Sequence, residues 1–391
     1  MMNFPYSKQK WTALALSAMV LASAGQAYAA DSTPAQPGQI QVAPANTQGT
    51  VAEKAIASKK LTLDAAVAIA LQSNSDLQNI RLQAKTADIN ATRMYKSSRK
   101  IKSDMIEELS LAQSKYESKA KADSIRKLNN LEVESAEDKT KLGAQNVYYD
   151  YVHALADVEL KKQSLKRAET QLKVAKAAFE VGTKAKTDIL QTEMGVAGAQ
   201  ASLAVAENTL ETSRMKLNDF LGVDLNTKWE VDITNKQLEA PKLSLQEAIE
   251  QALKQRVEIT KAEEEVRLAE VTVEVIAQYS ALSTYDGKIA RNEVEQAKIA
   301  VDDQKRVITM EVAEAYYNLN AAKLNAEFKA KAKESAAESY RLINLRFENG
   351  LATTLEVVQA EEELASQENE YAQALRNYNL AVVNFDTVLG N

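Results

Sequence analysis

Apolar residues recur every seven positions along several stretches of the chain. One series is Ile189, Val196, Leu203, Leu210 and Leu217, and a second is Val357, Leu364, Tyr371, Tyr378 and Phe385. The positions three further on are mostly small: Ala199, Ala206 and Ser213 in the first, Ala360, Ala374 and Ala381 in the second. A third series, Tyr151, Val158, Leu165, Leu172 and Phe179, has Ala154, Ala168 and Ala175 beside it. Large side chains facing alanine at heptad spacing predict knobs-into-holes packing between close helices. A single helix in an ordinary bundle accounts for one such stripe. Stripes on successive segments predict long antiparallel coiled hairpins, and residues 147–181 alone would form a rod of about 50 Å at 1.5 Å per residue. Proline usage agrees, because beyond Pro44 only Pro241 interrupts the chain, and an interior proline would break a helix.

The pattern occurs twice. Leu61-Thr62-Leu63-Asp64-Ala65-Ala66-Val67 aligns with Leu243-Ser244-Leu245-Gln246-Glu247-Ala248-Ile249, 182 positions later. In each copy a Thr or Ser precedes the apolar run, which is an N-cap signature. Further on the offset is 168: Tyr148-Tyr149 matches Tyr316-Tyr317, Phe179-Glu180-Val181-Gly182 matches Phe347-Glu348-Asn349-Gly350, Gln191 matches Gln359, and Leu221-Gly222 matches Leu389-Gly390. A match of this length without gaps indicates an internal duplication. The change of offset gives the first copy 14 extra residues between Leu71 and Tyr148, two heptads, which lengthen helices without rotating their faces. The expected fold is all-α: two tandem copies of long antiparallel coiled-coil hairpins, over 59–240 and 241–391.

The beginning of the chain reads differently. Lys8 and Lys10 precede an apolar run from Trp11 to Ala24 and the small-x-small triplet Ala27-Tyr28-Ala29. This predicts a secretory signal peptide over 1–29 and export of the rest. Residues 30–58, with Pro34, Pro37 and Pro44 among Gln, Ala and Thr, predict a disordered tether. With no cysteine a lipoprotein anchor is excluded.

Composition narrows the chemistry. Asp and Glu number 54 against 48 Lys and Arg, a formal net charge of -6, which argues against a general nucleic-acid binder. One histidine and no cysteine leave little for a metal site and no thiol for catalysis, so no metal and no cofactor are expected. His153 is expected to be a solvated helix residue. The tyrosine doublets are expected to pack between hairpins. Glu361-Glu362-Glu363 resembles a glycosidase dyad only superficially, since adjacent helix positions point apart. There is no Gly-rich phosphate loop, so ATP hydrolysis would belong to a partner. An enzyme is not expected.

Between the heptad series lies Val181-Gly182-Thr183-Lys184-Ala185-Lys186-Thr187-Asp188-Ile189. Gly182 is suited to ending one helix in the left-handed conformation, and Thr187 or Asp188 to capping the next. Asn349-Gly350-Leu351, followed by Thr353, Thr354 and Glu356, repeats the device. With these tips (VGTKAKTDILQTE and NGLATTLEVVQAEEEL), the paired openings (LTLDAAVAIALQSN and LSLQEAIEQALKQR) and the endings (LNDFLG and FDTVLG), the chain resembles the TolC-like outer-membrane efflux proteins over residues 59–391. The resemblance implies a homotrimer whose twelve helices form a hollow periplasmic cylinder below an outer-membrane β-barrel. It also implies tips that dock a periplasmic adaptor joined to an inner-membrane pump or type I exporter.

The family's membrane strands would fall within about 93–146 and 266–314. KSSRKIKSDM, KYESKAKAD and LEVESAEDKTK in the first span carry charge every two or three residues, unlike an alternating membrane strand. In the second, Val271, Val273 and Val275 alternate briefly and Tyr285-Asp286-Gly287-Lys288 has the look of a turn. The strands are therefore expected to be absent or vestigial, and insertion into the outer membrane is open.

By the resemblance, Asp188 corresponds to an aspartate that helps close the entrance, while the arginine and tyrosine that partner it in the family are replaced here by Ala352 and Phe347. Glu356 falls at an acidic ring in the lumen, which would attract cations and raise the carboxylate pKa values. Without that role Asp188 is a helix cap and Glu356 a first-turn acid. Gly182, Thr183, Gly350 and Leu351 are assigned to adaptor docking, against plain turn chemistry. The expected function is the exit duct of a tripartite efflux or type I secretion system; the alternative is a non-conducting structural or tethering coiled coil of the cell envelope.

Overall fold

The computed structural model describes residues 59–231 and 237–390. The expected signal peptide and the tether up to residue 58 lie outside the described residues. The rest contains eight α-helices: α1 Leu63–Ser73, α2 Ser75–Lys100, α3 Leu109–Glu180, α4 Lys186–Leu221, α5 Leu245–Gln255, α6 Val257–Tyr279, α7 Tyr285–Glu348 and α8 Thr354–Val388. At about 1.5 Å per residue, the 72 residues of α3 extend roughly 108 Å.

Local chemistry sets the helix ends. Thr62 caps α1 by accepting the Ala65 N–H at 3.2 Å. Ser244 caps α5 in a reciprocal box with Glu247, the Ser244 N–H donating to Glu247 Oε2 at 2.8 Å. Asn74 divides α1 from α2, its Oδ1 accepting from Leu77 N–H at 3.0 Å and its amide donating to Phe220 O at 2.9 Å. Gly222, at φ +67°, ends α4 against Ser73; a β-carbon there would stand 2.4 Å from Ser73 O.

The offset is 182 at both ends of α1 and α5 and at the starts of α2 and α6, and 168 at the ends of α3 and α7 and the starts of α4 and α8. The 14 extra residues are not one block of two heptads. They enlarge α3 to 72 residues against 64 in α7, α2 to 26 against 23 in α6, and the link 101–108 against 280–284. All of this lies around one hairpin end, so no register beyond it has to be preserved.

Among the described residues there is no β-strand, only an isolated bridge between Lys60 and Glu230. Where the family's strands would fall, α2 runs into α3 and α6 into α7. Val271, Val273 and Val275 lie inside α6, and Tyr285 to Lys288 is not a turn but the first turn of α7, capped by Thr284. Gly287 is needed there because a β-carbon would stand 2.6 Å from Leu282 Cα. No described helix is long and apolar enough to cross a membrane.

The helices pack side by side in the order α4, α3, α8, α7 near one end and α2, α3, α6, α7 near the other. α1 and α5 brace α3 and α7, and α7 shares no packed seam with α4 or α2. Apart from a short seam where α4 and α8 touch across α3, and the places where α1 and α5 brace it, the wall is one helix thick and has two free edges. Burial largely follows this order: on the interior helix α8 Val357, Leu364, Tyr378 and Phe385 are buried and Tyr371 half-buried, whereas on the edge helix α4 Ile189, Val196, Leu203 and Leu210 are half-buried and of that series Leu217 alone is buried.

Polar ties join the two copies along α3. Arg167 donates to Glu361 at 3.1 Å and Glu368 at 2.9 Å, and Ser164 donates to Glu361 at 2.8 Å. Toward the other end Glu264, 2% exposed, takes Lys127 at 2.9 Å and Arg267. Burial pushes its pKa up, but Arg267 and Lys127 outweigh this and hold it at about 2. Asn218, fully buried, accepts from the Trp229 indole at 2.6 Å and donates to Leu225 O and Thr227 O. Asn218→Leu should cost about 2–4 kcal/mol in chemical denaturation, because the indole N–H loses its buried acceptor in a packed site.

Candidate functional site: the hairpin tips

Both hairpins end in the same turn. Gly182 and Gly350 sit at φ +76° and +73°. The Gly182 N–H donates to Phe179 O and the Thr183 N–H to Ala178 O, each at 2.9 Å; Gly350 to Phe347 O at 2.9 Å and Leu351 to Arg346 O at 2.8 Å repeat the arrangement. These are Schellman motifs, which satisfy helix-end carbonyls and require a left-handed residue. A β-carbon at either glycine meets nothing within 4 Å. Gly182→Ala or Gly350→Ala should therefore cost only about 1 kcal/mol of backbone strain, read as a small shift in thermal midpoint with the helical content unchanged.

The restarts differ. Thr353 caps α8, its Oγ1 accepting from Glu356 N–H at 3.2 Å while Glu356 Oε2 accepts from Thr353 N–H at 2.6 Å. The cap of α4 is Ala185, not Thr187 or Asp188; Asp188 lies three residues on and accepts the Ala185 N–H at 2.9 Å. Asp188 and Glu356 thus occupy equivalent first-turn positions, where the helix dipole favours anions.

Their titration follows from these bonds. The Thr353 backbone N–H, then its hydroxyl, holds the Glu356 carboxyl below its ordinary value. Asp188 is lowered first by the Thr354 hydroxyl of the other hairpin, then by the Ala185 N–H and Lys184. Thr354 Oγ1 stands there buried, without a well-formed hydrogen bond. Within the subunit the local bonds thus act opposite to the upward shift expected from a ring of carboxylates.

The two tips meet. Lys184 Nζ lies 4.6 Å from the centroid of the Phe347 ring, a cation–π contact between the first turn and the end of α7. Ala352 is buried, and Leu351 and Val181 project into solvent, 70% and 74% exposed. The geometry brings Asp188, Thr354, Lys184 and Phe347 together, leaves Glu356 in its own capping box, and sets Gly182, Thr183, Gly350 and Leu351 on the outer surface. Sequence reasoning missed Lys184 and Thr354, whose roles depend on a contact between copies.

It also missed the edge of α7. Met310, Tyr317, Leu324 and Phe328 are 61–66% exposed, the first three at heptad spacing. The opposite edge exposes Met194 and Val205 on α4 and Leu82 and Ile89 on α2. Tyr148 and Tyr149 are buried as expected for packing residues, but Tyr317 is exposed because α7 is the free edge. His153 is half-buried, not solvated.

Residues 287–391, within the second copy, match the sequence model of the family described as outer membrane efflux protein. No significant match was found among curated proteins. Solved structures share the fold over 84% of this chain: CusC, from a study of folding and transmembrane channel formation, at TM-score 0.71, 14% identity and 92% of its own chain; the Campylobacter jejuni CmeC outer membrane channel at 0.69, 13% and 85%; and the Vibrio cholerae outer membrane protein VceC at 0.68, 14% and 96%. The chain therefore has the helical-hairpin fold of the TolC-like efflux channels, with the family's sequence signature in its second copy and with no strand among the described residues.

Proposed function

We propose that this protein is the exit-duct component of a tripartite efflux or type I secretion system. Three copies join edge to edge into a hollow helical conduit at the outer membrane and periplasm, and the tips dock a periplasmic adaptor that connects to a separate inner-membrane pump or ABC exporter. One observation carries the reading: a wall one helix thick whose two free edges are apolar. Such a sheet buries its edges by joining the next copy head to tail, and a heterologous joint that closes makes a ring around an open axis. The likeness to solved channels supports the same assembly.

At the docking end, an open groove of about 570 Å³ runs between α4 and α8 above the tips, with Gly195, Gly198, Gln359 and Ala365 among its lining residues. Its small residues give room for a helix of an adaptor to lie beside the exposed Val181 and Leu351.

The test is a mass measurement with planar-bilayer recording on the purified protein. A particle of three copies with discrete conductance is expected; a particle without conductance would identify a tethering coiled coil instead. With their pKa values lowered from the ordinary carboxylate values, Asp188 and Glu356 stay ionised in mildly acid medium. Cation preference should therefore persist at about pH 5, and Asp188→Ala with Glu356→Ala should reduce it. Unchanged selectivity in a conducting channel would remove both residues from the pore.

A further inference from the structure

His153, the single histidine of the chain, lies on α3 where α4 and α8 also converge. A largely apolar cavity of about 200 Å³ opens beside it, in which Val147 and Ala154 of α3 stand among the polar groups of Asp150 and His153 of α3, Thr209, Ser213 and Lys216 of α4 and Arg376 of α8. The imidazole Nδ1 is buried and unpartnered. One turn on, Asp157 Oδ1 is likewise buried without a hydrogen bond, its charge balanced by Lys161 at 3.9 Å. Arg376 binds Asp150, donating from Nε at 2.8 Å, and so ties α8 of the second copy to α3 of the first. Arg376 also donates to Asn377 Oδ1 at 3.1 Å.

We propose that this cluster is an acid-sensitive joint between the two copies, in which protonation of His153 weakens the Arg376–Asp150 tie and loosens α8 from α3. The neutral ring is compatible with its surroundings because Arg376 and Lys216 already supply positive charge. A proton on Nδ1 adds a third cation in a partly dry site and creates a donor whose near acceptors are Asp150 and Asp157. To satisfy that donor His153 competes with Arg376 for Asp150. Burial first, and then Arg376, hold the imidazole pKa below its ordinary 6.5, while Asp157 and Asp150 pull the other way. The sign follows: the unfolded chain takes up the proton more readily than the folded one, so stability is complete above pH 6.5 and declines as the medium is acidified below it.

A lone histidine makes the test direct. Imidazole resonances of the full-length protein should give one titration with a midpoint below 6.5, and Arg376→Gln should move that midpoint upward. Amide exchange over 372–380, corrected for its intrinsic pH dependence, should speed up several-fold between about pH 7.5 and about pH 5 in the parent and stay level in His153→Gln. A midpoint at or above 6.5, a midpoint insensitive to Arg376→Gln, or an acid response retained in His153→Gln would each overturn the proposal.

Discussion

Leu324→Glu combined with Phe328→Glu is expected to convert the assembled protein into single helical subunits. Both side chains stand on the free edge of α7, 66% and 63% exposed, and neither belongs to the buried clusters inside the subunit. Their replacement therefore removes little from the fold of one chain. In the ring proposed above each would lie in a joint with the neighbour, and burying a Leu or Phe contributes about 1.5–3 kcal/mol relative to exposure. Each substitution removes that gain and adds a carboxylate that must be desolvated or paired. With two residues at every joint, the loss per joint is on the order of 5 kcal/mol before the charges are counted. Light scattering should then report the mass of one chain, 42.9 kDa for the full sequence, with the helical circular dichroism retained. A control at Leu364, 5% exposed on α8, should behave oppositely, since a glutamate there breaks the subunit's own core and lowers helicity. An unchanged particle mass in the edge variant would show that α7 is not where copies meet.

The seven-residue series announced most of this architecture because a heptad stripe is a statement about which helix faces are apolar, and that can be read without coordinates. The caps at Thr62 and Ser244 were legible for the same local reason, and the restart of α8 was legible as the stretch Thr353, Thr354 and Glu356. What escaped was non-local. Whether a stripe is interior or an edge depends on the order of helices in the wall, so Ile189 and Val357 look alike in sequence yet differ in burial. Asp188 was read as a helix cap, whereas it stands three residues past the cap Ala185; its neighbour Thr354 is 166 positions away, and no spacing rule connects them. Tyr285 to Lys288 was misread because glycine beside aspartate mimics a turn; here the glycine serves the close approach of Leu282 to the first turn of a long helix. His153 reads as an exposed helical residue until α4 and α8 are placed around it.

Loss of the Lys184–Phe347 contact is expected to raise the open probability of a reconstituted channel by the largest factor of any tip substitution. The contact joins the first turn to the end of α7, so it resists separation of the two hairpin tips within a subunit. A cation–π pair at a partly exposed site is worth about 0.5–1 kcal/mol. One such contact would shift a two-state equilibrium only a few-fold. If three copies open together, the three contributions add to about 1.5–3 kcal/mol, roughly 10- to 150-fold in the ratio of open to closed. Phe347→Ala should therefore lengthen openings strongly, whereas Phe347→Tyr, which keeps a ring face for Lys184, should retain most of the parent behaviour. Lys184→Arg should likewise be mild and Lys184→Gln severe. Asp188→Ala and Phe347→Ala should not simply add, because Lys184 acts on the Asp188 carboxylate as well as on the Phe347 ring. Single-channel records in which Phe347→Ala and Phe347→Tyr behave alike would show that the ring fills space at the tip without holding the hairpins together.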